Sequence, residues 1–407
     1  MAEIMKFLLI PGNNSLSHVA KCLALEAELT ARGHRPLIAV SAKHGRFLDR
    51  LHKAYVILPD IQEADGSASP TWEWFRCAER IQRCIRAEID LIRRFRPDRV
   101  LGVFRFTPKA AAAALGVPYD TLVCGCMMPD NREVLGFAPG EPGAECQAFY
   151  LDNFFRFAGR KIGRAMEGFG LAPITDARLM LEGERTFLWD FPEFMPLPPK
   201  SYRFHVGPLK WEQWPDAHIS TDACPKGHRR LAVLTFGTCC VDRSVAEKLL
   251  ACLLDSDYDV VIAAGGQPDL AQIRPDNGRG SVCAFAPLKE LLQKADLVVA
   301  HGGQMTLFES LAQGVPVLVM PFQPEQAHNG VCLERIGCGR RIVPGVAYRG
   351  DSQVYVQALI KHSNLEICDT IHAFTNSPLT AIRLSAARRA LDGYGGASRL
   401  ADMLVQD

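Results

Sequence analysis

The chain alternates short, wholly apolar segments with longer segments in which apolar residues recur every three or four positions. Phe7–Ile10 contains no polar residue, which is typical of a strand buried on both faces of a parallel sheet. Pro11–Asn14 then favours a turn, and Val19, Leu23 and Ala27 follow at helical spacing. Further strands are predicted at Pro36–Val40, Arg99–Phe104, Leu231–Phe236, Val260–Ala264, Val282–Phe285, Leu297–Ala300 and Val315–Met320. This alternation predicts an α/β protein with parallel sheets and right-handed crossovers.

Two alternating blocks are separated by a proline-rich stretch. Residues 191–222 contain six prolines, a density that is typical of a linker. A chain of 407 residues is long enough for two domains. We therefore predict two doubly wound, Rossmann-like domains facing across a cleft. The predicted boundaries are 1–210 for the N-terminal domain, 211–225 for the linker and 226–379 for the C-terminal domain, with a C-terminal helix at about 380–407 packing back on the first domain.

Charge, hydropathy and cysteine spacing exclude several classes of protein. The 46 Lys and Arg residues balance 45 Asp and Glu residues, whereas nucleic-acid-binding proteins usually carry a basic excess. No apolar run reaches the roughly 18 residues that span a bilayer, and Met5–Ile10 is too short for the hydrophobic part of a signal peptide. The 14 cysteines include no C-x-x-C pair, which favours reduced thiols over a zinc site or a disulfide framework. We expect a cytoplasmic protein that binds no nucleic acid.

Open α/β sheets bind ligands beyond the carboxyl ends of their strands, and the residues there are chemically distinctive. Gly302 and Gly303 follow a strand and precede a helix, so the backbone can approach a phosphate and the helix can offer its N–H groups. Thr306 could cap this helix or donate to a phosphate oxygen, and Glu309 could accept a hydrogen bond from a ribose hydroxyl. A Gly-Gly turn alone is more often structural. The flanking His301, Thr306 and Glu309 favour a phosphate site.

Two further segments follow neighbouring strands. Glu325 and Gln326 place a carboxylate beside an amide, which suits hydrogen bonding to vicinal sugar hydroxyls, although a solvated turn is the alternative. Gly237 and Thr238 end the first strand of the second block, where they could contact a phosphate or simply form a turn.

His18 lies at the predicted start of the first helix. A histidine with a pKa near 6.5 can act as a general base at neutral pH. The alternative is a solvent-exposed residue at a helix start. The residue type and position make His18 the candidate catalytic group of the N-terminal domain.

About ten positions of the second block stand in register with a known signature. They are Phe285-Ala286-Pro287, His301-Gly302-Gly303, Thr306, Glu309, Gly314-Val315-Pro316, Pro321, Glu325-Gln326 and Asn329. They resemble the donor-binding signature of the UGT-type, MGT-like nucleotide-sugar-dependent glycosyltransferases of the GT-B fold. Gly207-Pro208-Leu209, Ser17-His18-Val19 and Arg32-Gly33-His34 resemble further, less specific motifs of that family.

The resemblance implies an acceptor domain before the linker and a donor domain after it. Phe285 then stacks on the nucleobase, His301, Gly303 and Thr306 hold the diphosphate, Glu309 binds the ribose, and Glu325 and Gln326 bind the sugar. His18 deprotonates the acceptor hydroxyl, which gives inversion at the anomeric carbon. The co-substrate is a UDP- or TDP-sugar, and neither a further cofactor nor a metal ion is needed.

The chain departs from the family at one important place. Members with a catalytic dyad carry an Asp at the end of the strand that is Leu101–Phe104 here, and this segment has none. Asp130 is a candidate substitute. Met305 and Leu288 also replace residues that are more usual in the family.

Acceptor contacts are expected from aromatic and apolar residues of the N-terminal domain, with Trp72, Met127, Asp130 and Phe149 as candidates. An apolar stripe over Phe155–Phe169 is explained by core packing, by a pocket for a hydrophobic acceptor, or by peripheral contact with a membrane. We expect a hydrophobic small molecule or a lipid as acceptor. The alternatives to transfer are a nucleotide-sugar epimerase of the same fold and a non-catalytic partner protein.

Overall fold

The computed structural model describes residues 3–62, 71–213, 229–239, 241–275, 278–284, 286 and 288–406. It divides into two compact units. Unit 1 comprises Met1–Arg132, Phe149–Pro215 and Tyr394–Asp407, and unit 2 comprises Glu133–Ala148 and Asp216–Gly393. The predicted boundaries differ in that Glu133–Ala148 belongs to unit 2. Residues 214–225 of the predicted linker lie outside the described residues.

Strands and helices alternate through both units. The described strands are β1 (Lys6–Pro11), β2 (Arg35–Val40), β3 (Tyr55–Ile57), β4 (Arg99–Val103), β5 (Tyr119–Val123), β6 (Thr186–Leu188), β7 (Arg203–His205), β8 (Arg230–Thr235), β9 (Tyr258–Ala263), β10 (Gly280–Cys283), β11 (Leu297–Ala300), β12 (Val317–Val319) and β13 (Gly339–Arg341). The described helices are α1 (Leu16–Ala31), α2 (Ala42–Arg50), α3 (Ala78–Phe95), α4 (Pro108–Ala113), α5 (Ala144–Glu167), α6 (Arg243–Asp255), α7 (Pro268–Ala271), α8 (Leu288–Leu292), α9 (Gln304–Gln313), α10 (Pro324–Ile336), α11 (Gln353–Lys361), α12 (Asn364–Thr375), α13 (Pro378–Asp392) and α14 (Gly396–Val405).

The sheet of unit 1 has seven parallel strands in the order β3-β2-β1-β4-β5-β6-β7. β1 is buried from Phe7 onward, which explains its apolar sequence. From β1, the strands β2 and β3 follow on one side of the sheet, whereas β4 to β7 follow on the other side. The topological switch point, where open α/β sheets bind ligands, therefore lies between β1 and β4. α1 begins there, and the Ser15 hydroxyl at its N-cap accepts a hydrogen bond from the Ser17 backbone N–H (3.2 Å).

The sheet of unit 2 has six parallel strands in the order β10-β9-β8-β11-β12-β13. Its switch point lies between β8 and β11. The turns that follow these two strands, together with the start of α9, therefore meet at the edge where a ligand is expected.

The apolar stripe of α5 packs in the protein interior. Phe155, Ala158, Ile162 and Met166 are each less than a tenth exposed. Among the three interpretations of this stripe, the structure supports core packing. In the part of the chain that the structure describes, no helix has both the length and the apolar character needed to cross a membrane.

The C-terminal helix α14 packs against α1 within unit 1. Arg32, the C-cap residue of α1, donates hydrogen bonds to the Asp402 carboxylate (2.8 Å) and to the Ser398 hydroxyl (2.8 Å). The Gly396 backbone N–H donates to the Val206 carbonyl (2.8 Å). Only this last part of the predicted 380–407 segment belongs to unit 1, because α13 is part of unit 2.

Glu133–Ala148, a segment from the N-terminal half of the chain, forms ion pairs within unit 2, of which the pair at Arg341 is largely buried. Arg341 is almost fully buried and pairs with Glu141 (2.9 Å) and Glu334 (2.8 Å). Glu133 pairs with Arg335 on α10 (2.5 Å). These ion pairs explain why the segment belongs to unit 2.

Candidate active site

His18 lies in the first turn of α1, at the switch point of unit 1. Its side chain is only 5% exposed. The imidazole stacks on the Phe104 ring, with 5.1 Å between centroids and 18° between planes, and the Trp189 ring lies 5.7 Å away. The solvent-exposed alternative is therefore wrong.

The surroundings of His18 keep its imidazole neutral. Burial, followed by the positive charge of Lys21, holds the pKa of His18 well below its usual value. A hydrogen bond with the Gly12 backbone partly raises the pKa again, whereas His44 lowers it further. The Nδ1 atom of His18 is buried without a hydrogen-bond partner. A neutral imidazole is the form that a general base needs.

Phe104 faces His18 at the end of β4, where the family resemblance implies a carboxylate. The candidate substitute, Asp130, does not supply one: its carboxylate is bound to Arg203 (2.6 Å) and lies 3.4 Å from Lys200. Burial raises the pKa of Asp130, but these two cations outweigh it and lower the pKa overall. Among the described residues Asp130 forms no hydrogen bond or ion pair with His18, so the structure gives no support to the hypothesis that Asp130 orients His18.

A buried ionic cluster follows directly after Phe104. Arg105 is 3% exposed and donates to Glu88 (2.8 Å) and Asp60 (2.8 Å). Thr107 also donates to Glu88 (2.7 Å). Burial, partly offset by Arg105, raises the pKa of Glu88 to about 7. This cluster fixes the segment that carries Phe104.

The switch point of unit 2 presents the N-terminus of α9. Gly303 is the N-cap residue and supplies no side-chain hydrogen bond, so the first N–H groups of the ten-residue helix are available to a ligand. Thr306 lies inside the first turn, which corrects the prediction that it could cap the helix. Gly302 has a φ of +95°, and a Cβ atom there would lie 2.6 Å from the Gln326 carbonyl. Only glycine fits this turn.

His301 lies between two glycine turns. A Cβ atom at Gly303 would lie 2.4 Å from its Nε2 atom, and one at Gly237 would lie 3.2 Å from its Cε1 atom. Burial lowers the pKa of His301 to about 4. The ring is therefore neutral at pH 7 and would offer a phosphate a hydrogen bond rather than a positive charge. Its Nδ1 atom is buried without a hydrogen-bond partner.

His301 should make the protein acid-sensitive. Its pKa is about 4 in the folded chain and about 6.5 when unfolded, so the unfolded chain binds more protons between these values. The free energy of unfolding therefore has its full value above pH 6.5 and falls as the pH drops from 6.5 to 4. The loss due to His301 is about 3 kcal/mol. Urea unfolding at pH 7 and pH 4 measures the loss, and His301→Asn should reduce it by that amount. His52, which is solvent-exposed, provides the control variant His52→Asn. An equal loss in the His301 variant and wild type would contradict this assignment.

Helix α10, which follows β12, is tied to the turn after β11 by a chain of amides. Asn329 is fully buried, donates to the Gly302 carbonyl (2.9 Å) and accepts from Gln304 (3.0 Å). Its amide group also lies 3.4 Å from Glu325. The predicted sugar-binding carboxylate is thereby held against the predicted phosphate turn.

Gln326 is buried and already bound within the protein. Its Oε1 atom accepts from the Phe322 backbone N–H (2.9 Å), and its Nε2 atom lies 3.6 Å from the Cys239 sulfur. The side chain therefore joins the turns after β8 and β12. Its role in holding a donor sugar stays a prediction.

The remaining candidates lie in varied environments. Thr238 is exposed beside Gly237, whose φ is +56°, and Glu309 is half-buried on α9. Phe285 lies outside the described residues. Trp72 is 40% exposed and Phe149 is 74% exposed, whereas Met127 is buried after β5. Their predicted ligand contacts stay predictions.

Comparisons with known proteins give the class of enzyme. Residues 240–346 match the model of the glycosyltransferase family 28 C-terminal domain. The chain is 22% identical over 355 residues to the PGL/p-HBAD biosynthesis rhamnosyltransferase of Mycobacterium bovis (strain BCG / Pasteur 1173P2), which covers 83% of this chain and 77% of that protein. The solved glycotransferase of kitacinnamycin has a TM-score of 0.72 at 18% identity, with 99% of both chains covered. Glycosyltransferase VinC, solved in complex with DTDP, has a TM-score of 0.69 at 17% identity over 98% of both chains. The chain is a nucleotide-sugar-dependent glycosyltransferase of the GT-B fold.

The predicted α/β class, the GT-B fold and the glycosyltransferase activity are thereby confirmed. Sequence reasoning missed the residues that surround His18 in this glycosyltransferase. Phe104 was included in a strand, and the buried Lys21 and Trp189, whose ammonium and ring lie 4.4 Å apart, gave no local signal. The signal available for Phe104 was its position next to an arginine immediately after a buried strand.

Proposed function

We propose that this glycosyltransferase moves a sugar from a TDP- or UDP-sugar to a hydroxyl of a hydrophobic small-molecule or lipid acceptor, with inversion and without a metal ion. The observation that carries the proposal is the uncapped N-terminus of α9 behind the Gly302–Gly303 turn, at the switch point of unit 2. Such a site suits a diphosphate. His18, at the other switch point, supplies a base.

TDP-sugars are the first donors to test. A structural neighbour, VinC, was solved with DTDP, and the mycobacterial relative is named a rhamnosyltransferase. The relative's name places it in PGL/p-HBAD biosynthesis. UDP-sugars stay in the proposal because Phe285, the candidate for contact with the nucleobase, does not distinguish uracil from thymine by its ring alone.

The reaction begins when the neutral imidazole of His18 accepts the proton of the acceptor hydroxyl. The hydroxyl oxygen forms a bond to the anomeric carbon from the face opposite the leaving group. The bond between that carbon and the diphosphate oxygen breaks, and its electron pair leaves with the nucleoside diphosphate. The N–H groups and dipole of α9, with His301 and Thr306, stabilise the charge that develops on the diphosphate.

A thermal-shift panel of nucleotides tests the donor class. A ligand that binds only the folded protein raises the free energy of unfolding by about 2.7 kcal/mol at one hundred times its Kd. We expect a response to TDP or UDP and none to NAD. Gly302→Ala should abolish the response, because its Cβ would clash with the Gln326 carbonyl.

The matched control lies at the other end of the same helix. Gly314 also has a positive φ (+73°), but a Cβ there meets nothing within 4 Å, so Gly314→Ala should keep the nucleotide response. A response to NAD alone would refute the donor class. Incubation with donor alone separates transfer from epimerisation, since an epimerase changes the donor sugar without an acceptor.

A further inference from the structure

Phe104 has an unusual backbone conformation that fixes its ring. Its φ is +49°, a left-handed region that bulky residues seldom occupy. The turn after β1 holds it there, because the Gly12 backbone N–H donates to the Val103 carbonyl (2.9 Å). A Cβ atom at Gly12 would lie 2.3 Å from the Phe104 carbonyl oxygen, so only glycine permits this approach. A strained residue held at a ligand-binding edge indicates a functional constraint.

The fixed ring determines the environment of His18. Phe104 stacks on the imidazole, and Trp189 lies 6.4 Å from Phe104 and 5.7 Å from His18. The three rings form one cluster within unit 1. Packing therefore restricts the orientation of the imidazole, a task that a hydrogen-bonded carboxylate commonly performs for a catalytic histidine.

The carboxylates that follow strands at this edge are held by other groups. Asp60 is bound by Arg105 (2.8 Å) and Asp130 by Arg203 (2.6 Å). The Oδ2 atom of Asp190 accepts from the Gly125 backbone N–H (2.6 Å), and its Oδ1 atom lies 3.2 Å from the Nδ1 atom of His205. Within the described ranges, no carboxylate forms a hydrogen bond or an ion pair with His18. A carboxylate stabilises the imidazolium that forms when the histidine takes a proton, and this site lacks that stabilisation.

We propose that Phe104 is a positioning residue that replaces the orienting carboxylate, and that the acceptor hydroxyl is therefore acidic: a phenol or an enol rather than an aliphatic alcohol. The inference rests on the proposed function and narrows its acceptor class. A phenol has a pKa of about 10. Water has a pKa of about 15.7, and the pKa of an aliphatic alcohol is similar. A base without carboxylate support can therefore accept a proton from a phenol far more readily than from an alcohol. In the step, the phenolic O–H proton moves to His18, the phenol oxygen bonds to the anomeric carbon, and the nucleoside diphosphate leaves with the electron pair.

A matched pair of acceptors tests the inference on the whole chain. 4-Octylphenol and 4-octylbenzyl alcohol share an apolar tail and an aromatic ring, but only the first has an acidic hydroxyl. Each is incubated with the TDP- and UDP-sugars whose nucleotides gave a thermal shift, and glycosides are quantified by mass spectrometry. We expect kcat/KM to be at least about a hundredfold larger for the phenol, within the range that general-base catalysis contributes.

Two variants separate the role of Phe104 from its effect on folding. Phe104→Asp restores a carboxylate at a backbone position that Asp tolerates better, and it should lower the phenol-to-alcohol ratio at least about tenfold by accelerating the alcohol reaction. Asparagine has nearly the shape of aspartate without its charge, so Phe104→Asn should keep the phenol-to-alcohol ratio high. The new carboxylate should also move the acid limb of kcat/KM to higher pH, since it favours the imidazolium against the opposing charges of Lys21 and His44.

The possible outcomes separate failure of the acidic-acceptor inference from failure of the proposed function. Comparable transfer to both acceptors by the wild type would overturn the acidic-acceptor inference while leaving the glycosyltransferase function standing. An unchanged phenol-to-alcohol ratio in a folded Phe104→Asp variant would also overturn the acidic-acceptor inference alone. Failure to form either glycoside with every donor would overturn the proposed function and this inference with it. If Phe104→Asp does not fold, the wild-type ratio alone decides.

Discussion

Replacing His18 by alanine should lower kcat about 10²- to 10⁴-fold and leave nucleotide binding almost unchanged. The loss follows from removal of the general base, whose contribution is of this size. Binding should persist because the proposed phosphate contacts, Gly303 and Thr306, belong to unit 2, whereas His18 belongs to unit 1. The measurements are steady-state transfer kinetics and the nucleotide thermal shift on the same preparation.

The pH profile gives a second measurement on His18. Burial and Lys21 lower its pKa, so the imidazole stays unprotonated as the pH falls from 7.5 to 6.5. The acid limb of kcat/KM should therefore begin below pH 6.5. His372→Ala removes an imidazole from α12 and should leave the rate unchanged. Full turnover by the His18 variant would show that another group accepts the proton.

The fold was predictable because its signals are local. The apolar run of β1 and the helical spacing of α1 each occupy a few consecutive residues, and the structure places both elements as expected. The start of α9 was harder to predict: Thr306 was considered as its cap, whereas the helix begins at Gln304. Gly303 serves as the N-cap without a capping side chain, so the sequence carried no Ser, Thr, Asp or Asn signal at that position.

The surroundings of the base were not predictable because they depend on contacts between distant parts of the chain. His18 meets Phe104 and Trp189 only after β1, β4 and β6 have assembled into one sheet. Similarly, Glu141 meets Arg341 across 200 residues of sequence. A single sequence shows which residue types are present but does not show which of them pair.

Arg105→Met should lower the free energy of unfolding by about 3–5 kcal/mol. Removing one partner of a buried ion pair leaves the other charge uncompensated, and two carboxylates depend on this guanidinium. Asp60 is 2% exposed and Glu88 is fully buried. Methionine keeps most of the apolar volume, so the loss reports on charge rather than on a cavity. Urea unfolding at pH 8 measures it.

Arg243→Met is the matched control. Arg243 also pairs with a carboxylate, Glu247 (2.7 Å), but both side chains are nearly half exposed. The change should lie within about 0.5 kcal/mol, because solvent weakens such pairs. Equal effects in the two variants would contradict a special role for the buried cluster.

The pH dependence of the Arg105 variant identifies the charge responsible. Burial already raises the pKa of Glu88 to about 7, and loss of the neighbouring cation must raise it further. Glu88 would then become protonated in the folded variant as the pH falls from 8 to 6. Protonation removes one uncompensated charge, so the destabilisation relative to wild type should shrink over this range.

Because Arg105 also donates to the Pro59 carbonyl (2.6 Å) and directly follows Phe104, the variant should lose transfer activity even where it remains folded. A folded variant with normal transfer would show that Phe104 is held in place by the Gly12 turn alone.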